Sequence, residues 1–284
     1  MSQLIGIGAL IDRAWEHYRT LLPALLKVTV WMLVVAAINV VAILLYPVRE
    51  GAILSLTGSE RAGEIILLVN NTLIALVIGT WVVNALIETI RVQISGERVS
   101  LLQVTKTAKK LFWHQLLVRV QVALLYTIAF LAPLGVFWFA TNVLSEVLPV
   151  GLLSFVLFLA LLLFLIPIAL LVYLAFSSFA VVVDGKRGWA AITESISRVR
   201  ERFWAAAGRL LIPKLLYFGV FFLAQFLLVL LIRVIAFGLV PESDPVTAVR
   251  VEWVALATSY AVLFVFLNPL LFITDYLVYL GLKK

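Results

Sequence analysis

Two hydrophobic rhythms alternate along this chain. Six long, nearly unbroken apolar runs cover about residues 28–46, 65–87, 116–141, 148–172, 210–231 and 253–271. Each comes near the roughly 20 residues a helix needs to cross the hydrocarbon layer. None shows the 9–11-residue alternation of a membrane barrel strand. Between the runs lie shorter segments whose apolar positions recur at helical spacing, with polar residues on the opposite face. They are residues 7–22 (Ile7, Ile11, Ala14, Tyr18), 101–117 (Leu101, Thr105, Ala108, Phe112) and 192–208 (Ile192, Ile196, Val199, Phe203).

These amphipathic segments recur about every 92 residues, and each precedes two apolar runs. The pattern predicts an all-α integral membrane protein of six transmembrane helices. They form three parallel repeats, each an interfacial amphipathic helix followed by a transmembrane hairpin, in one membrane domain over 1–284. The repeats run about 2–95, 96–186 and 187–284. Every unit starts on the same side, so the copies are related by an axis along the membrane normal, and three hairpins around a pseudo-threefold axis are expected. Basic faces and the aromatic tips Tyr18, Phe112-Trp113 and Phe203-Trp204 place the amphipathic helices in the headgroup layer.

Composition agrees. Hydrophobic residues make up 64% and charged residues 13% of the chain, against about half and a quarter in soluble domains, and mean hydropathy is +1.15. Of 22 Lys and Arg, only Arg49, Arg61, Arg233 and Arg250 fall on the side of the hairpin tips. The positive-inside rule then puts both termini and the amphipathic helices in the cytoplasm, with the chain in a cell membrane. That asymmetry also accounts for the net charge of +7, and no module for nucleic acid is present. With no cysteine, thiol chemistry and disulfides are excluded. The first ten residues lack a positive n-region and run into Asp12 and Arg13, so the first span is expected to serve as an uncleaved signal.

Local signals sharpen the boundaries. Ser100-Leu101-Leu102-Gln103 reads as a capping box after the Gly96 turn. Thr57-Gly58-Ser59-Glu60 and Asp244-Pro245 read as helix starts. Glu194, Arg198 and Arg202 form an i, i+4 ladder with the acid leading. Pro133, Pro167 and Pro269 predict kinks within spans.

Ionisable residues at membrane depth are functional candidates. Asn84, Glu88 and Arg91 cluster at the inner end of the second span, and Asp275 follows Glu88 by about two repeat lengths. Ser177 and Ser178 fill the intermediate position. Lys27, Arg119 and Lys214 stand near the start of the odd-numbered helices, so acid–base pairing across the inner rim is one expectation. An ion or proton site at Asn84, Glu88 and Asp275 is the other. Asn39, Asn70, Asn71, Gln225 and Asn268 read as hydrogen-bonding glue between helices. A lipid or partner surface is expected at Lys106, Lys109, Lys110, Arg198 and Arg202.

His17 and His114 lack partners at metal-ligand spacing, and neither a phosphate loop nor a nucleophile elbow occurs. No catalytic residue, metal or cofactor is expected.

The stretch Phe179-Ala180-Val181-Val182-Val183-Asp184-Gly185, with Gly188-Trp189-Ala190-Ala191-Ile192, Ser195, Arg198 and Phe203-Trp204, resembles a family of six-helix prokaryotic membrane proteins. That family includes the membrane domain fused to some glycerophosphodiester phosphodiesterases and related stand-alone proteins of unknown function. The resemblance implies a helical membrane module without the phosphodiesterase's soluble catalytic domain. Because the basic interfacial helices are the most regular feature of the chain and the spans lack a convergent polar path, the expected function is a non-enzymatic accessory or scaffold module that binds anionic lipid or a membrane-protein partner through them. The alternative is a transporter or lipid-translocating permease.

Overall fold

A computed structural model describes residues 5–45, 57–97, 99–239 and 245–283. Every regular element among them is helical. Helix α1 (Ile7–Thr29) meets α2 (Met32–Leu45) at a 49° bend, and α3 (Gly58–Val69) passes through a π turn at Asn70–Ile74 into α4 (Ala75–Ile94). The chain continues through α5 (Leu101–Asn142), α6 (Val150–Leu163), α7 (Leu165–Leu174), α8 (Ser177–Asp184), α9 (Trp189–Arg200), α10 (Phe203–Leu239) and α11 (Pro245–Lys283). Five helices or helix runs are long and apolar enough to cross a membrane, and α1–α2 makes a sixth if it counts as one bent span.

Two sequence expectations need correction. The amphipathic segment 101–117 is not a separate elbow, because α5 runs without a break from Leu101 to Asn142. Nothing between Phe112 and Val120 is a Gly or Pro that would end the helix. Ser100 does stand at the N-cap position, yet its side chain makes no capping hydrogen bond. Of the three prolines within spans, Pro167 coincides with an interruption. Its missing N–H leaves the carbonyl of Leu163 unserved, and α6 ends there, whereas Pro133 and Pro269 sit inside continuous helices.

Other boundaries follow the sequence. The Thr57 backbone N–H donates to the Glu60 carboxylate at 2.7 Å and opens α3. Helix α11 starts at Pro245; Asp244 and most of the first hairpin tip (46–56) lie outside the described residues. The loop between α8 and α9 turns on Gly185 (φ +66°) and Gly188 (φ +50°), where a side chain would be strained.

The core forms around α4. Residues 82–90 of α4 are buried without interruption, and α1, α2, α5, α8 and α11 all touch this helix. A helix buried on every face is a central strut rather than a surface helix. The apolar faces of the amphipathic segments pack toward this centre: Leu10, Ala14 and Tyr18 of α1, Val104 and Ala108 of α5, and Val199 of α9 are buried in the same cluster. Ile192 of α9 is buried in a smaller neighbouring one.

Candidate functional site

Polar side chains concentrate where α4, α8, α9 and α11 meet. Glu88, 1% exposed, takes a bidentate ion pair from Arg91, with both N–H···O distances at 2.7 Å. The fork is satisfied within one turn of α4, the strongest geometry available to a carboxylate. Asn84, one turn earlier, donates to the carbonyl of Ala108 at 3.3 Å. Asp275 of α11 pairs instead with Lys214 of α10 at 2.9 Å, while its second oxygen is buried without a partner. The two carboxylates therefore belong to two separate ion pairs. One of these, Lys214–Asp275, crosses between helices as acid–base pairing across the rim requires.

The densest network centres on Asp184, the last residue of α8. It accepts from Arg198 at 2.5 Å, from Lys283 at 2.8 Å and from the Tyr279 hydroxyl. Arg198 also reaches Glu194 at 2.7 Å and stacks its guanidinium 4.4 Å from the Tyr279 ring centre. Beneath it lies an aromatic cluster of Phe176, Phe179, Phe272, Tyr276 and Tyr279. Arg198 is thus drawn out of the expected surface and into the interior. The Glu194–Arg198 rung was legible from spacing, whereas Asp184 as its shared partner was not.

Ser195 has a role that sequence reasoning missed. Its hydroxyl donates to the Tyr173 carbonyl at 2.6 Å and accepts from the Phe176 backbone N–H at 3.1 Å. Those two groups flank the break between α7 and α8, and an unsatisfied backbone group inside a membrane costs several kcal/mol. One hydroxyl on α9 therefore holds open a broken helix that contains neither Gly nor Pro at the break.

The remaining candidates divide cleanly. Lys106, Lys109 and Lys110 are exposed along one end of α5, and Arg202 is half-buried after α9. Lys109 lines an open groove of about 490 Å³ together with Trp31, Val77, Ile78, Trp81, Phe112 and Trp113. Asn39, Asn70 and Asn71 act as glue: Asn70, at the π turn, donates to Asn39 and to the Val35 carbonyl at 2.8 Å each, and Asn39 donates to Asn71. Gln225 donates to Ser259 at 2.8 Å. Among the described residues, no three His, Asp or Glu side chains gather as a metal site would need. No protein-family model, curated protein or solved structure matches this chain.

Proposed function

We propose that the chain is a non-enzymatic membrane module, built of three parallel repeats with both termini in the cytoplasm, that binds anionic lipid along the basic opening of α5. The observation that carries this reading is the groove itself. Apart from exposed Lys109 its lining is apolar and aromatic, suited to an acyl chain, and Lys106 and Lys110 are exposed within a turn of Lys109 on α5. Tryptophan at that depth favours the headgroup boundary, and each nearby Lys adds about 1 kcal/mol of attraction to an anionic surface. The resemblance to six-helix prokaryotic membrane modules is consistent with a role that needs no catalytic centre.

The test is the lipid that the purified protein retains from mixed phosphatidylglycerol and phosphatidylcholine bilayers. Wild type should be enriched in phosphatidylglycerol, and the combined Lys106→Glu, Lys109→Glu and Lys110→Glu variant should lose most of that enrichment. Unchanged enrichment sinks the reading. Arg198 is left out because reversing it would break the Asp184 network.

A permease acting through Asn84, Glu88 and Asp275 is the second reading, and the unpartnered oxygen of Asp275 favours it. It requires Glu88→Gln and Asp275→Asn to abolish flux while leaving the fold intact. Wild-type flux no higher than that of empty liposomes removes it.

A further inference from the structure

The interior basic side chains are not treated alike. Arg91, Arg198 and Lys214 each hold a carboxylate. Arg119 does not: its hydrogen bond in the structure goes to the hydroxyl of Thr80, at 3.3 Å, and among the described residues it forms no ion pair. It lies nine residues beyond Lys110 in α5, roughly 13 Å farther along the helix at 1.5 Å per residue. A guanidinium at such depth is expensive unless something supplies the countercharge.

The surroundings are shaped for that charge. Gly79 of α4 lies under the guanidinium, and a methyl group there would stand 3.3 Å from Nη1. Arg119 also borders a cleft of about 250 Å³ between α5 and the α7–α8 break, walled by Val122, Tyr126, Leu174, Ser177 and Ser178. Ser178 already accepts a 2.6 Å hydrogen bond from Gln115, which leaves its own hydroxyl proton to give. The third hairpin supplies the contrast. There Lys214, about one repeat length after Arg119, meets Asp275, whereas across from Arg119 the cleft offers Ser178, the Ser177 hydroxyl being already given to the Leu174 carbonyl.

We propose that the cleft between α5 and α8 binds a phosphate group, with the Arg119 guanidinium as its countercharge and Ser178 as a hydroxyl donor. The phosphate is that of an anionic lipid headgroup or of a free solute. The cleft is separate from the Lys109 groove and shares no lining residue with it. The volume holds one headgroup, and a planar guanidinium suits phosphate oxygens better than an ammonium would.

The experiment follows thermal unfolding of the full chain in neutral detergent during titration with short-chain phosphatidylglycerol, short-chain phosphatidylcholine or inorganic phosphate. Phosphatidylglycerol should raise the midpoint saturably and phosphatidylcholine should not. Arg119→Gln should need at least about tenfold more lipid, the loss expected for one charged hydrogen-bonding partner. Gly79→Ala, which crowds the guanidinium while favouring the helix, should weaken binding in the same direction and decides the matter if Arg119→Gln fails to fold. The Lys106, Lys109 and Lys110 variant removes the groove's share of the phosphatidylglycerol response, and Arg119→Gln added to that variant should still weaken what remains, so failure of the groove reading and failure of this one are separable. An Arg119-dependent response to inorganic phosphate alone assigns the cleft to a solute. Equal responses of wild type and both variants, or phosphatidylcholine as effective as phosphatidylglycerol, overturn the proposal.

Discussion

The end of the molecule where α4, α8, α9 and α11 converge and the hairpin of α5 and α6 follow opposite rules from similar composition. In the most apolar 18-residue window of α5 only 6% of residues are buried, against 33% in α11. Ile128, Leu131, Phe155 and Phe158 all turn outward at 55% exposure or more, as lipid contact permits. In the convergent end, nine consecutive residues of α4 are enclosed, and the carboxylates of Glu88, Asp184 and Asp275 each hold a cation. The hairpin is held in place by being acceptable to hydrocarbon. The convergent end is held by specific pairing, and there a single lost atom should matter.

Asp184→Asn is the largest expected break. It withdraws the charge that Arg198 and Lys283 share, with the side chains of Asp184 and Arg198 only 9% and 11% exposed. Removing one partner from a largely buried pair typically costs about 3–5 kcal/mol, because the other charge is left uncompensated. Thermal or denaturant unfolding in detergent should show the loss, and a variant as stable as wild type would mean that the network is ornamental. Ser195→Ala should come next, at about 1–3 kcal/mol, since it strands the Phe176 N–H at a buried helix break. Amide hydrogen exchange should rise first in residues 174–178. Uniform protection there after the substitution would assign the break to backbone geometry alone.

The two regions were unequally legible in sequence. The spans of the hairpin needed only length and hydropathy, which depend on composition and not on partners. Of the positions that helical spacing picked out, Ala14, Tyr18, Ala108, Ile192 and Val199 are buried, because one helix face is a local property, while Leu101 and Thr105 at the start of α5 are exposed. The continuity of α5 was hidden, since periodicity reports a change of face polarity and not whether the helix ends. Asp184 with Tyr279 and Lys283, Tyr18 with the Phe266 carbonyl, and Ser195 with the α7–α8 break were hidden for another reason. Each joins groups far apart in sequence, so no spacing rule links them. Arg119 was visible as a charge near a span, but its lack of a carboxylate is a property of its neighbours.

The smallest expected effects are the most exacting check on the contrast. Ile128→Ala and Phe155→Ala remove large side chains from the outward face of the hairpin, where the originals are 65% and 58% exposed. If lipid is their only neighbour, trading apolar surface for apolar lipid leaves folding nearly unchanged, within about 0.5 kcal/mol as for other exposed sites. The same truncations in an enclosed core would cost roughly 2–5 kcal/mol through the cavities they leave. Unfolding of each single variant in lipid nanodiscs distinguishes the two cases. A loss near the core value at both positions would mean that this face is covered in the membrane, by another copy or another protein, and the hairpin would then join the convergent end as a region held by specific contact.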